Sequence, residues 1–173
     1  MLGTIGNLVA DSAEATGLKW AAPAASGFKG CELRKSANQS ISNLTDTAVT
    51  FDSETFDTDG FHSTSSNTSR ITIPAGLGGK YRFTFVARFA GNSTGLRNLK
   101  FNINGSEGGA LYRNSNNGSS AAIFNASIVL DLSAGDYVEM IVFQDSGGSL
   151  NLEISSNTQL GAATRFGCEY LGA

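Results

Sequence analysis

"KYRFTFVARF", residues 80–89, decides the fold. Tyr81, Phe83, Phe85, Ala87 and Phe89 occupy alternate positions, with Arg82, Thr84, Val86 and Arg88 between them. Successive side chains of a strand point to opposite faces, so this run is a half-buried strand with an aromatic inner face. The same period recurs after it. In "LKFNING", 99–105, Leu99, Phe101 and Ile103 alternate with Lys100, Asn102 and Asn104 before Gly105 ends the run. In "SLNLEIS", 149–155, Leu150, Leu152 and Ile154 alternate with polar residues, and "TRFGCEYLG", 164–172, closes the chain in the same manner. "SAAIFNASIVLDL", 120–132, is a further strand, followed by the turn signal "SAGD". "DYVEMIVFQ", 136–144, is apolar on both faces and predicts a central strand covered on each side. Pro23 and Pro74 are the only prolines, and both suit connections or strand edges.

Composition agrees with this pattern. Of 173 residues, 16% are charged and 21 are Gly. Low charge with abundant Gly, Ser, Thr and Asn suits an all-β domain with a neutral polar surface. About eight to ten short strands between turn signals imply a sandwich or jelly roll. The net charge of −3 gives no basic footprint for nucleic acid. No apolar run approaches the ~20 residues of a membrane helix, so no membrane insertion is expected. The N-terminus shows no basic segment followed by an apolar core, so no secretory signal is read there.

Residues 1–27 differ from the rest, being small and weakly patterned. They form either an extended arm or an arm with a short helix over 11–18 ended near Gly17. Leu8, Leu18 and Trp20 are its candidate anchoring residues. Residues 28–173 form the folded head.

The chemistry-bearing cluster lies just ahead of the deciding strand. His62 is the only histidine, with Asp57, Asp59, Ser63 and Thr64 close in sequence. A hydrolytic triad needs a nucleophile, a base and an orienting acid in mutual reach, and sequence crowding does not supply that geometry. No catalytic residue is assigned, and no enzyme is expected. Asp57, Asp59 and His62 are the candidate metal ligands, with calcium the cation that loop oxygens suit; no other cofactor is expected. The competing reading is local turn chemistry, with Gly60 supplying the bend and Phe56 and Phe61 anchoring the loop to the core. Cys31 and Cys168 stand in rhyming contexts, "FKGCEL" and "FGCEY". A disulfide, two buried thiols and a two-cysteine metal site are all open to them.

"FDTDGFHSTSSNTSRITIPAGLGGKYRFTFVARF", 56–89, resembles the stretch of complement-1q-like globular heads in which a loop leads through a Gly/Pro turn into an aromatic strand. "LDLSAGDYVEMIVFQ" is similar to that family's Gly-Asp turn before a central strand, and "TRFGCEYLGA" to its closing strand. The resemblance covers residues 28–173. "LVADSAEATGLKWAAPA" and the 56–71 stretch look like bacteriophage virion proteins that carry such a head, and the absence of a Gly-X-Y repeat favours that over the animal proteins.

What the resemblance implies is a ten-stranded complement-1q/TNF-like jelly roll, assembled as a homotrimer and binding through loops without catalysis. Its trimer contacts would come from the sheet holding the first and last strands, where Phe166, Tyr170, Leu33 and Tyr81 are the candidates. The receptor-facing candidates are Asn92, Arg97, Tyr112, Asn116, Asn117 and Asp145, in loops rich in adaptable hydrogen-bonding residues. The expected protein is a virion tail or head fibre component, assembled in the host cytoplasm and exposed on the particle. It would contact other virion proteins through residues 1–27 and a bacterial surface glycan or protein through its loops. The alternatives are a capsid or tail decoration protein with a stabilising role, and a depolymerase, which would need convergent acids on a concave surface.

Overall fold

The computed structural model describes residues 8–10, 18–20, 27–115, 119–154 and 163–173. Among them there are strands and no helix. Two short strands of the N-terminal segment, β1 (Leu8–Ala10) and β2 (Leu18–Trp20), pair antiparallel, with Leu8 opposite Trp20. Leu18 therefore stands in a strand and not at a helix end; residues 11–17 lie outside the described residues.

From Phe28 onward the chain forms two antiparallel sheets. Their strands are β3 (Gly30–Arg34), β4 (Gln39–Ile41), β5 (Thr47–Ala48), β6 (Ser53–Asp57), β7 (Arg70–Thr72) and β8 (Gly79–Phe89), then β9 (Leu96–Ile103), β10 (Ser106–Ser115), β11 (Ala122–Leu132), β12 (Tyr137–Gln144), β13 (Leu150–Leu152) and β14 (Arg165–Gly172). The larger sheet runs β4-β13-β8-β14-β3-β6, with β11 also on β8; the smaller runs β10-β9-β12-β5, with β7 also on β12. This is the all-β jelly-roll sandwich the alternation predicts. It is divided into more segments than the ten expected, because β4, β5, β7 and β13 are only two or three residues long.

The deciding strand behaves as its period requires. Tyr81, Phe83, Phe85, Ala87 and Phe89 are fully buried, while Arg82 and Thr84 are exposed. Phe166 of β14 stacks between Phe85, 5.0 Å away, and Phe83, 6.0 Å away. Phe85 in turn reaches Phe101 of the facing sheet at 6.3 Å. Val138, Met140 and Val142 of β12 close the other wall with no exposed surface, and Ile141 on the opposite face is nearly buried as well. Each fully buried aliphatic or aromatic side chain contributes roughly 1.5–3 kcal/mol, so this ring-rich seam holds the two sheets together.

Turn chemistry sets the register. Asn104 and Gly105 both have positive φ, 52° and 79°, and Ile103 pairs with Ser106 across them. That is a two-residue hairpin of the primed type, whose twist matches its strands. The "NGSEGG" stretch is thus a turn at 104–105 only, and the residues after it enter β10 with a bulge between Glu107 and Gly109.

The sandwich has two distinct ends. At one, the chain enters through Phe28 and Lys29 beside Tyr170, whose N–H donates to the Lys29 carbonyl. The 104–105 turn and the 133–136 turn lie at that end, joined by Asn104 Nδ2 donating to Asp136 Oδ1 at 2.8 Å. At the other end, the 42–46, 90–95 and 145–149 loops gather. Leu44 N–H donates to the Gln144 carbonyl, Gly147 N–H to Asn43 Oδ1, and Asp145 N–H to the Leu96 carbonyl.

Candidate functional site

At the loop end, Arg97 does not face outward. It has no exposed surface. Its Nη1 donates to the carbonyls of Thr94 at 3.0 Å and Leu96 at 2.9 Å, and its Nη2 to that of Asn92 at 3.3 Å. The guanidinium also lies 6.0 Å from the Phe89 ring centre. Burial lowers its pKa from the ordinary value, opposed by Asp145. Arg97 therefore ties the 90–95 loop from within, and its place among receptor-facing residues is corrected: β9 begins at Leu96, and alternation turns the next side chain inward. Asp145 accepts the Leu96 N–H and is only partly exposed, so it too organises the loop. Asn92 accepts the Thr94 N–H at 2.8 Å. Tyr112 is exposed and stacks on Phe124 at 4.7 Å. Asn116 and Asn117 lie outside the described residues.

The side chains of the sequence cluster around His62 engage different partners and do not converge on one point. The Asp57 carboxylate accepts backbone N–H groups from Gly60 at 2.9 Å, Phe61 at 3.0 Å and His62 at 2.9 Å. Asp59 takes Lys29 Nζ at 2.6 Å and Thr58 Oγ1 at 2.7 Å, which together hold its carboxyl below the ordinary range. The His62 side chain is buried, with Nδ1 2.8 Å from Glu54 Oε1 and Nε2 3.2 Å from the Thr68 carbonyl. Its nitrogens thus meet a carboxylate and a carbonyl, and neither meets a serine hydroxyl. Among the described residues, no three His, Cys, Asp or Glu side chains converge as a metal site. Phe61 anchors this loop in the core, but Phe56 does not. Phe56 is 40% exposed and meets Phe28, 58% exposed, edge to face at 5.5 Å.

The four residues expected at a trimer contact share one location. Leu33, Tyr81 and Phe166 are wholly buried within the chain, and Tyr170 packs on Tyr81 at 5.1 Å. All four face the core. The outward positions on the same strands are their neighbours: Glu32 and Arg34 on β3, Arg82 and Thr84 on β8, Arg165, Gly167, Glu169 and Leu171 on β14. The register lines up Thr84, Gly167 and Glu32 across the sheet, with Arg82 opposite Glu169. Arg82 Nη1 pairs with Glu169 at 2.5 Å and Arg34 Nη2 with Glu32 at 2.6 Å.

Gly167 opens a hollow in this face. A Cβ there would stand 2.7 Å from the Cys31 carbonyl oxygen, closer than side chains approach backbone. The hollow has a volume of about 210 Å³ and is rimmed by Phe28, Phe56, Arg82, Arg165 and Glu169. Val129, opposite Arg82 on β11, and Leu171 add exposed apolar surface at 52% and 46%. The missing side chain is legible in the sequence as a Gly within the alternating run 164–172; the face it opens is not.

No protein-family model and no curated protein matches this chain. Solved structures do. The globular domain of zebrafish complement 1qA protein superposes with a TM-score of 0.55 at 17% identity, over 83% of this chain and 98% of that one. Murine APRIL at pH 8.5 gives a TM-score of 0.58 at 14% identity, over 83% and 99%. Eiger TNF from S. frugiperda gives 0.53 at 13%, over 84% and 93%. At these identities the likeness shows the fold alone: a complement-1q/TNF-like jelly roll.

Proposed function

We propose that this chain is the projecting head of a virion fibre or spike, a homotrimer joined to the particle through residues 1–27 and contacting the host surface with its loop end. The observation that carries this reading is the opposite placement of chain entry and loop cluster. A segment attached before Phe28 leaves the head at the end away from the 42–46, 90–95 and 145–149 loops. That polarity suits a module held at its base and read at its tip. The loops are Ser-, Asn- and Gly-rich, and their backbone is pinned from inside by Arg97, Asp145 and Gln144. Side chains on such a rigid frame recognise a glycan or protein without first losing loop entropy.

The trimer would use the outward face around Gly167. Exposed Phe28, Phe56, Val129 and Leu171 supply apolar area, and the charges among them are largely paired within the chain. Such a face can be buried without stranding unpaired ions.

Light scattering on the purified full-length chain tests the assembly, with a mass three times the 18.0 kDa chain expected. A monomer across the micromolar range removes the trimer. Competition between the purified protein and intact particles for host cells tests attachment. A trimer that labels the particle but never competes is a decoration protein.

A further inference from the structure

We propose that Cys31 and Cys168 are a latent disulfide, which a small-molecule disulfide such as oxidised glutathione closes between the first and last strands of the head. The inference is independent of the virion reading. The antiparallel register sets Cys31 directly opposite Cys168. Tyr170 N–H donates to the carbonyl of Lys29, its direct cross-strand partner two positions along. Hydrogen-bonded pairs alternate, so Cys31 and Cys168 form another, with Cα atoms about 5.5 Å apart. That lies within the ~4.4–6.8 Å window that a disulfide requires. The sulfurs are 3.8 Å apart, so closure to about 2 Å calls on side-chain torsions rather than a new backbone path.

The surroundings exclude the competing use as a metal site. Both side chains are buried, at 1% and 5% exposure. A closed zinc centre needs four ligands, and no third His, Cys, Asp or Glu joins the pair among the described residues. The contact with Cys168, with burial second, pushes the Cys31 thiol far above its usual range. The closed head therefore holds two inert thiols, and exchange waits until β3 and β14 part beside the Gly167 hollow, which both cysteines line.

The chemistry balances without a metal. One cysteine, as its thiolate, attacks the small disulfide and expels a small thiolate, which takes up the proton lost. The second cysteine, losing its proton in turn, attacks the mixed disulfide and expels the other small thiolate. The protein gives up two hydrogens and two electrons, and the small disulfide becomes two thiols. The new bond spans 137 positions of chain, which restricts the unfolded ensemble strongly.

The test uses the full chain incubated with oxidised glutathione, then denatured in acid, alkylated and weighed. Both cysteines are expected to lose alkylation together, with the intact mass falling by two hydrogens. Trypsin should release GCELR joined to FGCEYLGA, and dithiothreitol should reverse the link. The oxidised protein should melt about 5–10 °C higher than the reduced one, and Cys168→Ser should show no such gain. Four results would overturn the proposal. They are persistence of both alkylated thiols even after refolding in a glutathione redox buffer, accumulation of glutathione adducts alone, a link between two chains, and an oxidised protein whose melting temperature is unchanged.

Discussion

Replacing Arg97 by Met should destabilise the head by about 2–3 kcal/mol. Three charge-assisted bonds hold the Asn92, Thr94 and Leu96 carbonyls, and such bonds contribute roughly 1.5–3 kcal/mol each before offsets. The offsets are specific. The Leu96 carbonyl keeps the Asp145 N–H as a donor, and Thr94 is exposed, so water can replace the guanidinium there. Removing a buried cation that no carboxylate pairs among the described residues also returns part of the loss. What remains is a partial loss at each of the three carbonyls, and about 0.5–1 kcal/mol from the Phe89 ring. Met retains most of the aliphatic volume, so no large cavity adds to the sum. The expected fall in melting temperature is about 5–10 °C, at ~2–4 °C per kcal/mol for a chain of this size. Urea unfolding followed by circular dichroism measures the global term, and amide exchange at 92–96 should accelerate ahead of the core strands. Arg97→Lys keeps the charge but not the fork and should recover less than half the loss. A variant within 0.5 kcal/mol of wild type, with unchanged exchange at 92–96, would refute the role given to Arg97.

Three further outcomes are expected. Asn104 first, then the Ser133 N–H, holds the Asp136 carboxyl below the usual carboxylate range. A carboxyl depressed in the folded state stabilises above its unfolded pKa, and that stability is lost as pH falls through the folded value. The melting-temperature gap between wild type and Asp136→Ala should therefore stay level from neutral pH to about pH 5 and shrink as pH falls through about 4 and below; a gap unchanged down through that range would show that the charge is not involved. Gly105→Val puts a β-branched residue at φ 79° in the primed turn and should cost about 1–3 kcal/mol in chemical unfolding, whereas Gly105→Asn should cost much less. Val129→Asp alters a half-exposed position on the Gly167 face; it should leave monomer stability within about 0.5 kcal/mol and lower the solution mass if that face is the trimer contact.

Much of the sandwich was legible because its strands are half-buried. In 80–89 the apolar positions 81, 83, 85, 87 and 89 recur every second residue and are all buried; Val86, on the other face, is buried as well. The 104–105 turn announced itself as Asn-Gly between alternating runs, and the 136–144 strand as an unbroken apolar stretch. The short strands were less legible: β5 and β7 pair with β12 over two and three residues, too few to establish a period. Their existence depends on a partner strand already in place, which is tertiary information.

The inward placement of Phe166 and Arg97 was not legible in the sequence for a related reason. Alternation says that Phe166 and Gly167 lie on opposite faces, and large aromatic residues attract the eye as contact residues. In a single-core sandwich those rings are what the core consumes, and the surface left for a partner belongs to the residues one step away. Arg97 shows the converse. A lone arginine among Asn, Ser, Thr and Gly has the composition of an exposed loop, and charged residues are rarely fully buried. Only the folded backbone reveals three carbonyl oxygens converging on one point, and a five-donor planar cation is the side chain that can meet them together. The same lesson applies to Asp57, whose carboxylate looks like a ligand in one dimension and in three collects the amides of its own loop. Polar residues in this head serve the backbone first, so the surfaces available for recognition are the ones this backbone service leaves unspent.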